Sequence, residues 1–147
     1  MHVGCGGRVM RRDNLHLTLV FLGSVAREKI PALETLARQL HGDAFALSFG
    51  ATGYWRRNRI VYAAPQATPA PLRALVTALE QALTNAQFAF DQRPYVPHMT
   101  LIRDARAPAT LLPLAFDWPV ADFALIESAH EARGIAYRVL ARWALER

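Results

Sequence analysis

Apolar residues recur along this chain in two rhythms. Over residues 14–22, Leu15, Leu17 and Leu19 alternate with polar neighbours, which predicts a strand ended by Gly23-Ser24. Ile30, Leu33, Leu36, Ala37 and Leu40 then fall at steps of three and four. That spacing predicts a helix over about 25–41, with Ser24 as its cap and Pro31 tolerated in the first turn. Strand-like stretches follow at 44–52 and 59–64, with a hairpin or loop between them at Gly53-Tyr54-Trp55-Arg56-Arg57-Asn58. Pro65 to Pro71 reads as a linker. A second helix is expected over about 70–86, with Leu72, Leu75, Val76, Leu79 and Leu83 on one face. Residues 95–103 predict another strand, Asp104 to Pro108 a flexible loop, and 120–129 with 135–145 a hairpin turning near 130–134. The order suggests a duplicated α+β unit, with two lobes of antiparallel sheet, helices outside and a cleft between.

Composition narrows the class. At 147 residues, with 52% hydrophobic and 20% charged, the chain is expected to be one globular domain over 1–147. No apolar run reaches membrane-spanning length, and the N-terminus lacks a secretory apolar core. A cytoplasmic protein with no membrane partner is therefore the expectation. Cys5 is the single cysteine, so neither a disulfide framework nor a cysteine metal cluster is available. The formal charge of +5 suits a phosphate-bearing partner.

The candidate chemistry is a phrase that occurs twice, His16-Leu17-Thr18-Leu19 and His98-Met99-Thr100-Leu101. On composition, two such matches arise by chance on the order of once in a thousand chains or less. On a strand the histidine and threonine of each copy share a face. Two such strands brought together from opposite halves of the chain give two imidazoles and two hydroxyls around one space. An imidazole ordinarily titrates near 6.5, so one can donate and one can accept a proton at neutral pH. The hydroxyls can donate to an anion held between them. The near-symmetry leaves open which histidine is acid and which is base. A zinc site from His16 and His98 lacks a third ligand and leaves the threonines without a role, so no metal and no cofactor is expected. His2, His41 and His130 have no partner at useful spacing.

Around these motifs, period-two counting assigns Arg103 to the face of His98 and Thr100. Tyr95, Tyr54 and Trp55 are candidates for a platform on which a base stacks. Arg56, Arg57 and Arg59 are candidates for tracking an RNA backbone, and Arg11 and Arg93 for bracing the lobes. Each also has a plainer reading, as packing aromatics or a solvated turn.

The phrases Asn14-Leu15-His16-Leu17-Thr18-Leu19 with Phe21-Leu22-Gly23, and Arg93-Pro94-Tyr95-Val96-Pro97-His98-Met99-Thr100-Leu101 with Ile102-Arg103, resemble the 2H phosphoesterase superfamily. Within it they resemble the bacterial RNA 2′,3′-cyclic phosphodiesterases, long labelled 2′-5′ RNA ligases. Phe123-Ala124-Leu125-Ile126-Glu127-Ser128 and Tyr137-Arg138-Val139-Leu140 extend the likeness. The resemblance implies metal-independent hydrolysis of an RNA-terminal cyclic phosphate to a 2′-phosphate. It implies His16 as donor to the leaving oxygen and His98 as acceptor from water, with Thr18 and Thr100 beside them and Arg103 along the nucleotide as a phosphate or base partner. Joining RNA ends in the reverse direction, or binding RNA or nucleotides without catalysis, are the alternatives. Members of the family begin with a strand and long helix, and with only about a dozen residues before Asn14 the expectation is that this chain lacks both. An open sheet edge in their place leads to the expectation of a homodimer.

Overall fold

Residues 45–65 set the scaffold that the motifs occupy. In the computed structural model, which describes residues 4–111 and 113–147, β2 (Phe45–Trp55) and β3 (Ile60–Pro65) form an antiparallel pair. With β1 (Arg8–Val9), β4 (Met99–Arg103) and β5 (Pro113–Val120) they make a five-stranded sheet in the order β1-β4-β3-β2-β5. The chain divides into two compact units, and this sheet is the frame of the first, which holds the described residues through Thr18 together with Leu47–Thr68 and Val96–Trp118. Val61 and Ala63 alternate inward on β3, and Val61 clusters with Cys5, Ile102 and Ala105. Leu47 and Phe49 are likewise buried on β2, and Phe49 stacks on Phe116 with ring centres 4.6 Å apart.

The second unit, Leu19–Ala46, Pro69–Tyr95 and Pro119–Arg147, carries both helices. These are α1 (Ile30–Arg38) and α2 (Ala70–Asn85). A two-stranded antiparallel ladder joins β6 (Asp122–Glu131) to β7 (Gly134–Ala144). Leu33 and Ala37 of α1, and Leu72, Leu75, Val76 and Leu83 of α2, are the buried positions, at the spacings that made these segments read as helices. Ala37, Leu75, Phe123 and Leu145 form its core cluster. Among the described residues no helix is long and apolar enough to cross a membrane.

Several boundaries differ from expectation, each for a physical reason. Helix α1 starts at Ile30, after a 3₁₀ turn at Arg27–Lys29, and Ser24 does not cap it. Pro31 is the cause: inside a longer helix its ring would meet the carbonyl of residue 27. Residues 14–22 do not form a ladder strand. Asn14 closes a 3₁₀ turn, and only Leu17 pairs, as an antiparallel bridge with Met99. The reason is competition for the same edge. Arg8 and Val9 already pair with Arg103 and Ile102, and the Met10 N–H bonds the Leu101 carbonyl, so the chain rejoins β4 at its start. Strand β2 runs through Tyr54 and Trp55, which leaves a four-residue turn at 56–59. The segment after β4 is a loop but a tethered one. Ala105 is fully buried, its N–H bonds the Arg59 carbonyl, and the Arg106 N–H bonds that of Cys5.

Candidate active site

All four motif residues lie in the first unit, not one pair in each lobe. The Leu17–Met99 bridge sets their arrangement. In an antiparallel register it places His16 opposite Thr100 and Thr18 opposite His98, on the face away from the buried Met99. The histidines thus occupy one diagonal of a four-residue patch and the threonines the other. Such a diagonal spans about 7–8 Å between backbone positions, room for one tetrahedral group between the rings.

Both imidazoles are oriented by the same device. His16 Nδ1 lies 2.7 Å from the Asn14 carbonyl oxygen, and His98 Nδ1 lies 2.8 Å from that of Val96. Each partner is the carbonyl two residues upstream. A carbonyl only accepts, so Nδ1 carries the hydrogen in both rings. Nε2 is then the nitrogen through which each ring exchanges its proton. Asn14 is itself buried, which holds the donor's partner in place.

The patch continues into an aromatic column of Trp55 and Tyr62, of which sequence reasoning missed Tyr62. Tyr62 stands directly across from Thr100 on one side and from Gly53 on the other. Its ring lies over Gly53, where any Cβ would run into it, so the glycine is required by close approach. Trp55 stacks on Tyr62 with centres 4.1 Å apart, and meets His98 edgewise at 4.5 Å. Tyr62 and His98 are 6.3 Å apart, so the three centres make nearly a right angle at Trp55. Tyr62 therefore covers one face of the indole, and His98 sits beside its rim. The available sequence signal was Tyr62 itself, an aromatic on the polar-facing positions of β3 and out of phase with the buried Val61 and Ala63.

Arg103 reaches the motif side by a route that simple alternation does not give. Three residues on from Thr100, strict period two turns it toward the core, so the count that assigned it to the motif face does not hold. The register shifts between Val61 and Tyr62, so that Tyr62 faces Thr100 while Val61 faces Ile102. This bulge adds one residue to β4 and resets the phase. Ile102 is buried with Val61, and Arg103 follows on the Thr100 side.

Tyr95 falls outside the unit that holds the motifs. It belongs to the second unit and lines a cavity of about 240 Å³ with Arg73, Glu80, Phe90 and Arg93. Its hydroxyl is buried and has no hydrogen-bond partner among the described residues, and burial pushes its pKa well above the usual tyrosine value. Tyr95→Phe is therefore expected to leave turnover unchanged and raise stability by about 1 kcal/mol, since an unmade buried hydrogen bond costs about that much or more. Thermal unfolding and steady-state rates check both halves. Tyr54 packs against the first unit's core and donates to the Ala105 carbonyl at 3.0 Å, so it is structural. Arg93 holds Asp91 at 2.6 Å, and its guanidinium brings that carboxyl down to about 2. His41 lies 3.3 Å from Glu146, and His2 lies outside the described residues. Among the described residues no three His, Cys, Asp or Glu side chains gather as a metal-holding group.

Comparison with known proteins agrees with this architecture. A family model described as the 2′-5′ RNA ligase superfamily matches residues 5–131. An Escherichia coli RNA 2′,3′-cyclic phosphodiesterase is 38% identical over 95% of this chain and 80% of its own length. One from Thermus thermophilus is 33% identical over 95% and 76%. The crystal structure of E. coli LigT in apo form superposes with a TM-score of 0.88 at 36% identity, covering 96% of this chain and 81% of that one. The same protein complexed with 3′-AMP gives 0.84.

Proposed function

The chain belongs to the 2′-5′ RNA ligase superfamily, and we propose that it opens RNA-terminal 2′,3′-cyclic phosphates to 2′-phosphates by metal-independent acid–base catalysis. The carrying observation is the mirrored pair of Nδ1–carbonyl bonds at His16 and His98, on motifs that face each other across one bridge. Nε2 of His98 accepts a proton from water as the water oxygen bonds to phosphorus. The P–O3′ bond breaks on the opposite side, and Nε2 of His16 delivers its proton to the departing 3′ oxygen. The Thr18 and Thr100 hydroxyls donate to the non-bridging oxygens, where charge builds in the transition state. Arg103 pairs with phosphate, and the outer face of Trp55, backed by Tyr62, offers a stacking surface for the terminal base.

The threonine role is separable from the histidine role. Thr18→Val and Thr100→Val are each expected to lower kcat by about 10-fold to 10³-fold, with KM little changed, because a valine keeps the shape and removes the donor. The activity itself is tested with a short RNA ending in a 2′,3′-cyclic phosphate, incubated with chelator. Conversion to the 2′-phosphate is expected. A 3′-phosphate product would reverse which oxygen leaves, and tight binding with no turnover would make the chain a binding module instead.

A further inference from the structure

The chain's positive charge is not spread evenly. The first unit carries eight arginines against three aspartates, while the second carries nine basic and nine acidic side chains. The whole excess of +5 therefore resides in the unit that holds both His-x-Thr motifs. Two of its aspartates are already engaged: Asp104 pairs with Arg8 at 2.7 Å, and Asp117 accepts from Ser48 at 2.7 Å.

Two of the exposed arginines stand next to the aromatic pair beside His98. Arg56 and Arg57 open the β2–β3 turn directly after Trp55, and neither makes an ion pair among the described residues. Their backbones lie within about 7 Å of that of Trp55, whose ring touches His98. The turn is held, not loose. Arg59 closes it with a positive φ of 56°, its carbonyl accepts from Ala105 at 2.9 Å, and its guanidinium donates to the Asp104 carbonyl at 3.3 Å. Tyr54 adds its bond to Ala105 just before the turn. A pinned turn leaves the arginine side chains, and not the backbone, to be ordered on binding.

We propose that Arg56 and Arg57 grip backbone phosphates upstream of the reacting end, so that the chain selects polynucleotide termini over cyclic mononucleotides. This rests on the cyclic-phosphodiesterase reading. A mononucleotide offers only the cyclic phosphate, and only a strand offers further phosphates to the turn. The contacts are electrostatic and independent of sequence, so their mark is salt dependence.

The test compares kcat/KM of the wild type and of Arg56→Ala/Arg57→Ala on a pentanucleotide ending in a 2′,3′-cyclic phosphate and on 2′,3′-cyclic AMP. With two phosphate contacts, the logarithmic salt slope for the pentanucleotide should be steeper by about 1.4 than for the mononucleotide. The double variant should abolish that difference and raise KM for the pentanucleotide by about tenfold at low salt, leaving cyclic AMP turnover unchanged. Arg56→Lys/Arg57→Lys should restore most of the slope, since charge and not the guanidinium fork is at issue. Equal effects on both substrates, or no effect on either, overturn the assignment while leaving the phosphodiesterase reading intact. A wild type that opens neither substrate removes that reading and this inference together.

Discussion

Alanine at His16 or at His98 is expected to lower turnover by about 10²–10⁴, the range that a positioned acid or base contributes. Each substitution removes one of the two proton transfers and leaves the other in place. Neither residue is fully buried, so the fold should survive. The loss should appear in kcat with little change in KM, because the arginine and threonine contacts to phosphate remain. The double alanine variant should be about as slow as the slower single one, since acid and base act within one transition state. Rates on a cyclic-phosphate RNA, with circular dichroism to show intact structure, check this. Wild-type turnover in both single variants would refute the assignment.

The largest expected effect on stability lies away from the chemistry. Phe49→Ala should cost about 3–5 kcal/mol and lower the thermal midpoint by roughly 10 °C. Phe49 is only 2% exposed, stacks on Phe116 at 4.6 Å with ring planes 11° apart, and reaches Trp118 at 6.5 Å. Alanine leaves a cavity that two aromatic neighbours on a second strand cannot collapse to fill. Phe49→Leu should cost much less, because it keeps most of the volume. Urea and thermal denaturation of the two variants give the comparison. A loss below about 1 kcal/mol for alanine would mean that this face of the sheet is not the packed core described above.

The helices and the C-terminal hairpin were legible because their signals are local. Leu72, Leu75, Val76 and Leu83 repeat at helical spacing, and the hairpin turns at Gly134, whose φ of 107° suits glycine. The motif threonines and histidines were legible for a similar reason, since each pair lies within three residues. What the sequence did not show depended on partners remote in sequence. The strand read at 14–22 shrank to one bridge because Arg8 and Val9 occupy the same edge of β4. Arg103 reaches the motif side only through a bulge opposite Val61, which no periodicity of its own strand contains. Tyr62 stands beside Trp55 and His98 because Gly53, nine residues earlier, leaves space for its ring. Tyr95 shares the motif's phrase in sequence, yet it lines a cavity of the second unit.

The most direct test of two imidazoles dividing the proton transfers is the pH dependence of kcat/KM in three proteins: the wild type, His16→Ala and His98→Ala. The account predicts a bell for the wild type, loss of the alkaline limb when the proton donor His16 is removed, and loss of the acid limb when the acceptor His98 is removed. A bell that persists with both limbs in either alanine variant would contradict it.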